Sequence, residues 1–79
     1  MKEMSISEFK RKLGERIMIL RKQNNLSQEQ LAHTIGKDKQ FINRYEVQGA
    51  NPTAFILFQI AKALKVTPNE LLTFESMSK

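Results

Sequence analysis

Two helix signals stand almost side by side in the middle of this 79-residue sequence. Gly36 is a typical helix stop, because glycine adopts the left-handed backbone conformation at the lowest cost. Asp38 follows almost at once and is a good N-cap for the next helix. The helix that Gly36 ends should begin after Ser27, which has Gln30 at the capping-box position three residues later. Two short helices joined by so brief a turn must cross steeply.

Three further helices are predicted from caps and from the spacing of apolar residues. The first should run from about Ile6 to Gln23, the fourth from Ala54 to about Leu64, and a short fifth from Pro68. The sequence shows no strand-like alternation and no internal repeat, so we predict an all-α fold with five helices. In chain order, the predicted N-caps are Ser5, Ser27, Asp38, Thr53 and Thr67.

The composition excludes several classes of site. With no cysteine and one histidine, the chain has no disulfide, no thiolate nucleophile and no metal cage of the Cys or His type. Ser27 has no base nearby, His33 has no evident acid partner, and Gly36 belongs to no phosphate-binding loop. We therefore expect no metal, no cofactor and no enzymatic activity.

The sequence also shows no segment that suits a membrane. Its longest apolar run, 54–58, is too short to cross one, and residues 1–12 carry charges where a signal peptide is apolar. We expect a cytoplasmic protein.

The positive charge is confined to one part of the chain. Up to residue 44 there are ten basic and five acidic residues, whereas the remainder has three of each, for a net charge of +5. Such an asymmetry favours a polyanionic partner for the first half, although a solvated basic surface is the alternative.

The second and third predicted helices have the spacing of a helix-turn-helix, whose second helix can enter the DNA major groove. Ala32 is small where the crossing helix needs close approach, and Ile42 returns to the core. The Leu31-Ala32 pair with Gly36 four residues on is a weak signal alone. It becomes strong with Gln28 before it, Ile42 and Glu46 after it, and Asn51-Pro52-Thr53 beyond.

Residues 13–72 resemble the Cro/C1-type, or XRE, family of helix-turn-helix regulators. The resemblance implies a single domain over residues 1–79, with a five-helix, lambda-repressor-like core at 13–72 and short extensions. It also implies a dimer that binds double-stranded DNA at a palindromic operator, as a transcriptional regulator of the repressor kind. The matching stretches are LGERI, LRKQNNLSQEQLA, IGKDKQFINRYE and NPTAFILFQIAKALKVTPNELL.

The chain departs from the family pattern in three places. Lys37 stands where the residue after the glycine is usually apolar. Gln48 stands where a glycine typically follows Glu46 by two residues, and Gly49 comes one position later. Phe55 and Ile56 occupy places that are commonly polar.

The resemblance assigns base reading to the outward side of the third helix. Lysine and arginine suit guanine O6 and N7, and glutamine and asparagine suit adenine N6 and N7; a solvated polar face is the alternative. The candidate base-reading residues are Lys39, Gln40, Asn43 and Arg44.

The resemblance also places the start of the second helix on the DNA backbone, with Gln28 able to bridge to Lys39. For Ser27, helix capping is the simpler role. The candidate contacts with the DNA backbone are Ser27, Gln28, Lys22, Lys37 and Asn51.

In the family an arginine and a glutamate often join the first and third helices, and Arg21 and Glu46 stand at these places.

Apolar side chains near the C-terminal end predict a dimer interface. The run from Ala54 to Phe58 covers more than one helical face, so some of its side chains must point away from the core. The alternative is that Phe55 and Phe58 fold against the tail, 73–79, which leaves a monomer. The predicted interface residues are Phe55, Ile56, Phe58, Leu71 and Phe74.

Two other functions remain open from the sequence. Antitoxins of toxin–antitoxin pairs and controllers of restriction-modification systems use the same domain. In either case, the main partner would be a toxin or another protein.

Overall fold

The computed structural model describes residues 4–74, and within that range the chain is all helical, as predicted. Residues 1–3 and 75–79, the outer parts of the two predicted extensions, lie outside the described residues. The helices are α1 (Ile6–Gln23), α2 (Gln28–Thr34), α3 (Lys39–Asn43), a π-helix (Arg44–Gln48), α4 (Ala54–Ala63) and α5 (Pro68–Leu71).

Each α-helix begins at the N-cap that the sequence predicts. The capping side chain accepts a hydrogen bond from the backbone N–H of the third helical residue, which satisfies one of the donors that a helix start leaves free. At Ser5, Ser27 and Thr67 the side chain of the third helical residue also accepts a hydrogen bond from the backbone N–H of the cap residue, so these three caps are complete capping boxes. Asp38 and Thr53 cap α3 and α4 through one bond each.

The core forms where α1 and the other helices meet, and apolar burial there is the main favourable contribution to folding. α1 supplies one face at helical spacing, and α2, α3, α4 and α5 close around it. The buried apolar residues are Leu13, Ile17, Leu20, Leu31, Ala32, Ile35, Ile42, Tyr45, Ile60, Ala61, Leu64, Leu71 and Phe74.

The helix after the turn changes type partway. The sequence predicts one helix from Asp38 to Gly49, but the chain is α-helical only as far as Asn43 and then forms the π-helix. A π-helix closes i→i+5 bonds, so each hydrogen-bonded ring encloses one residue more than in an α-helix. The change coincides with Gln48, which occupies the position where a glycine is typical. The segment ends at Gly49, whose φ of 74° is left-handed.

Two residues predicted for a dimer interface are buried instead. Leu71 is fully buried in the core, and Phe74 is 9% exposed and packs edge to face on Phe9, with 6.0 Å between ring centroids. The prediction is wrong for both. Leu71, the last residue of α5, joins the core cluster, and Phe74, which follows α5, is held against Phe9 of α1.

Among the described residues, no helix combines the length and apolar character that crossing a membrane requires. Nor do these residues hold a group of three acidic or histidine side chains placed to bind a metal ion.

Candidate nucleic-acid interface

The four predicted base-reading side chains lie together on α3 and at its C-terminal end. Lys39, Gln40 and Arg44 are exposed, and Asn43 is half-buried. Their helix is fixed from behind, since Ile42 is fully buried in the core. We call Lys39, Gln40, Asn43 and Arg44 the α3 face.

Arg21 and Glu46, the predicted pair, are in contact beneath the α3 face. Arg21 Nε donates to Glu46 Oε2 at 2.7 Å, and Nη2 donates to Oε1 at 3.0 Å. The remaining guanidinium arm donates from Nη1 to the carbonyl oxygen of Leu26 at 2.7 Å. The two side chains are 10% and 0% exposed. This bidentate pair, of the stronger charge-assisted kind, joins α1 to the π-helix and to the loop before α2.

Gln28 extends this network to the surface. Its Nε2 donates to Glu46 Oε1 at 3.0 Å, and its Oε1 accepts from Asn43 Nδ2 at 3.4 Å. The bridge expected from Gln28 to Lys39 is therefore replaced by bonds to Glu46 and Asn43. A carboxylate attracts an amide N–H strongly, whereas the Lys39 ammonium can stay in water. No sequence pattern indicates the contact between Gln28 and Asn43, because it arises from the crossing of α2 and α3.

Phe41 lies between two cations on the side of α3 nearest the turn. Lys37 Nζ is 5.2 Å from the ring centroid, and Arg44 Cζ is 5.5 Å from it. Cations within about 6 Å of a ring face are attracted by its quadrupole. Phe41 also packs on Tyr45, with 5.2 Å between centroids. The ring thus supports Lys37 and Arg44 at the edge of the α3 face.

Tyr45 adds to the electrostatics below Arg44. Burial raises the pKa of its phenol above the ordinary value, and the positive charge of Arg44 opposes that rise. The phenol therefore stays neutral at physiological pH and leaves the charge of Arg44 uncompensated.

The candidate contacts with the DNA backbone differ in exposure and in hydrogen bonding. Lys22, Lys37 and Asn51 are exposed. The Ser27 hydroxyl accepts from the Gln30 backbone N–H at 3.0 Å, so its capping role is present.

A second surface lies on α4. Phe55 and Phe58 are 64% and 52% exposed, and Ile56 between them is half-buried. The two rings line a shallow groove with Ile35 and Ala63, and Lys62 and Lys65 stand beside it. Phe74, in the described part of the C-terminal segment, packs on Phe9. The rest of the tail, 75–79, on which the monomeric alternative depends, lies outside the described part of the chain. We call Phe55, Ile56 and Phe58 the α4 patch.

Comparison with known proteins agrees with this geometry. A family model described as helix-turn-helix matches residues 17–71. The chain is 35% identical over 75 residues to the control protein C.SmaI of Serratia marcescens, covering 95% of this chain and 89% of that protein.

Two solved structures are also similar. One is the restriction-modification controller protein C.AhdI of Aeromonas hydrophila, with a TM-score of 0.74 and 34% identity over 78% of this chain and 94% of that one. The other is a hypothetical transcription factor, NHTF, from Neisseria, with a TM-score of 0.81 over 98% of this chain and 88% of that one. At 22% identity, the second likeness shows the fold alone.

Proposed function

Because this chain belongs to the helix-turn-helix family, whose model covers residues 17–71, we propose that it is a sequence-specific DNA-binding transcriptional regulator. It acts in the cytoplasm as a dimer that represses transcription from an inverted-repeat operator. Proteins that resemble it are named as control proteins and transcription regulators, and no catalytic step is needed for this role.

The α3 face is the observation that carries this proposal. Lys39, Gln40 and Arg44 present hydrogen-bonding groups to solvent from the second helix of the motif. Side chains in this position reach base edges when the helix lies in the major groove. Burial of Ile42 and the Arg21–Glu46 pair below the face hold its backbone fixed, which limits the entropy lost on binding.

Phosphate contacts then set the position of the domain on the duplex without reading sequence. Lys22 and Lys37 are exposed cations beside the motif, and Asn51 is an exposed donor in the loop before α4. Ser27 and Gln28 at the start of α2 complete the proposed set.

Selection from a random double-stranded DNA library tests the proposal. Enriched sites should be inverted repeats with half-sites about 34 Å apart, one helical turn, as two-fold symmetry demands. Affinity for the selected site should fall with rising salt, since the protein releases counterions from the phosphates it neutralises. Equal binding to selected and random DNA would contradict sequence-specific regulation.

Control of a restriction-modification system is the more specific form of this function. It is favoured by 35% identity to C.SmaI and 34% identity to C.AhdI, both named as control or controller proteins. The test is the gene neighbourhood: this role expects adjacent endonuclease and methyltransferase genes and a selected operator ahead of them. An adjacent toxin gene, with a product that co-purifies with this chain, would favour the antitoxin role instead.

A further inference from the structure

We propose that Glu46, acting through Gln28, sets the base preference of Asn43 by fixing the orientation of its side-chain amide. This inference rests on the proposed function, since Asn43 must face DNA for its orientation to matter. Glu46 and Gln28 are positioning residues in this scheme, and Asn43 is the residue that reads the base.

The direction of the network is imposed by the buried charge. An ionised carboxylate only accepts hydrogen bonds, and Glu46 takes two from Arg21. Gln28 can bond to Glu46 Oε1 only through its NH₂ group, which lies 3.0 Å away. The amide of Gln28 is thereby held with its oxygen, Oε1, turned toward α3.

The same logic fixes Asn43. Gln28 Oε1 is an acceptor, so Asn43 must offer its NH₂ group, and the Nδ2 to Oε1 distance is 3.4 Å. One amide hydrogen is used, which leaves the Asn43 oxygen and the second hydrogen for a ligand. An acceptor beside a donor complements N6 and N7 of adenine. A rotated amide would turn its NH₂ group outward and would suit the acceptors O6 and N7 of guanine.

Asn43 differs in this respect from its neighbours on the α3 face. It is half-buried, whereas Lys39 and Gln40 are exposed, and the described hydrogen bonds do not fix either of those side chains. Arg44 rests on the ring of Phe41 and has donors only. Asn43 is thus the member of the α3 face whose pattern of hydrogen-bond donors and acceptors is fixed in the free protein.

The first test measures binding of Gln28→Ala, Asn43→Ala and the double variant to every single-base-pair change of the selected site. Asn43→Ala should remove the adenine preference at one base pair, worth roughly 5- to 150-fold for a bidentate contact. Gln28→Ala should reduce that preference several-fold at the same base pair. In the Asn43→Ala background, Gln28→Ala should have no further effect there. Because Gln28 is also a proposed phosphate contact, some equal loss on all sites is expected from Gln28→Ala; an unchanged preference at the Asn43 base pair, or a changed preference at a different base pair, would overturn the proposal.

The second test needs no DNA. In the ¹⁵N spectrum of the free wild-type protein, the Asn43 side-chain amide, identified by its loss in Asn43→Ala, should be shifted and slow to exchange. Gln28→Ala should move it toward the position of the exposed Asn51 amide, which is the internal control. If Glu46→Gln folds, it should shift the Asn43 amide signal in the same direction. If it does not fold, Gln28→Ala alone tests whether the network orients Asn43.

An Asn43 amide that is unchanged in Gln28→Ala would rule out the orienting role. If the wild type selected no DNA site, the proposed function would fail by itself, and the spectra would still decide whether the network orients Asn43.

Discussion

At the scale of single residues, the pair of Arg21 and Glu46 has the largest expected energetic consequence. Removing one partner leaves the other charge buried without compensation. We expect Arg21→Met and Glu46→Gln each to lower the free energy of unfolding by about 3–5 kcal/mol. The double variant should lose less than the sum of the single variants, because it strands no charge.

The control for this prediction is the other ion pair that the described residues contain, Arg11–Glu15, whose side chains are 59% and 49% exposed. Glu15→Ala should change the free energy of unfolding by less than about 1 kcal/mol. Thermal and urea unfolding measure all four variants. Small, additive effects of the Arg21 and Glu46 changes would show that the pair contributes no more than a surface contact.

Arg44 and Lys22 should separate base reading from phosphate contact. Arg44 is exposed on the α3 face and supported by Phe41, so Arg44→Ala should cost about 1–3 kcal/mol on the selected site and relax preference at one base pair. Lys22→Ala should weaken selected and random DNA alike and reduce the salt slope by about one. Fluorescence anisotropy titrations at several salt concentrations measure both. If Arg44→Ala weakened every sequence equally, Arg44 would be a phosphate contact.

At the scale of helices, the contact between α1 and the π-helix depends on Gly14. A Cβ built at this position would overlap the carbonyl oxygen of Tyr45. Glycine to alanine inside an exposed helix normally stabilises by up to about 1 kcal/mol. Here we expect the opposite sign: Gly14→Ala should destabilise by about 1–3 kcal/mol, the usual cost of overpacking.

Urea unfolding of Gly14→Ala beside Glu15→Ala, the exposed neighbour in the same helix, measures this effect. A stabilising Gly14→Ala change would mean that α1 and the π-helix do not approach as closely as the structure shows.

Helix starts could be predicted from the sequence because caps are local. Ser5, Ser27 and Thr67 each bond to a residue three positions away, so the signal and its effect lie within one turn. The π-helix could not be predicted as such, although Gln48 marked the place as unusual. Its geometry depends on residues far away in sequence: Gly14 sets the approach to Tyr45, and Arg21 holds Glu46. Gly49 comes one position later than in the family pattern, and the π-helix accommodates this additional residue between Tyr45 and Glu46 on one side and Gly49 on the other.

At the scale of the whole molecule, the candidate surfaces were predicted unequally. The exposure of Lys39, Gln40 and Arg44 follows from helical periodicity, since Ile42 points inward, whereas the base-reading role of the α3 face is what the family resemblance implies. The dimer interface could be predicted only in part. Phe55 and Phe58 are exposed, but Leu71 and Phe74 are buried. The way a short C-terminal helix docks decides which of its apolar side chains reach the core. Amino-acid composition does not encode that docking.

We expect two copies of the chain to associate through the α4 patch. Residues 45–79 carry equal numbers of acidic and basic side chains, so this part of the chain has no net charge, although Lys62 and Lys65 stand beside the patch. Exposed aromatic groups on so small a domain are typical of partner surfaces. We expect the wild type to sediment at micromolar concentration as a dimer of the 9.2 kDa chain. Phe55→Glu should sediment as a monomer, because a buried unpaired carboxylate is costly.

Val47→Glu is the matched control for this last prediction. Val47 is 66% exposed, much like Phe55, but lies beside Lys10 and Arg11 of α1, outside the α4 patch. Val47→Glu should therefore remain a dimer, which separates loss of the interface from the general effect of adding a charge to an exposed apolar site. Equal monomer masses for the wild type and Phe55→Glu would exclude a stable dimer through the patch. Dissociation by Val47→Glu and not by Phe55→Glu would move the interface to the N-terminal side of the molecule.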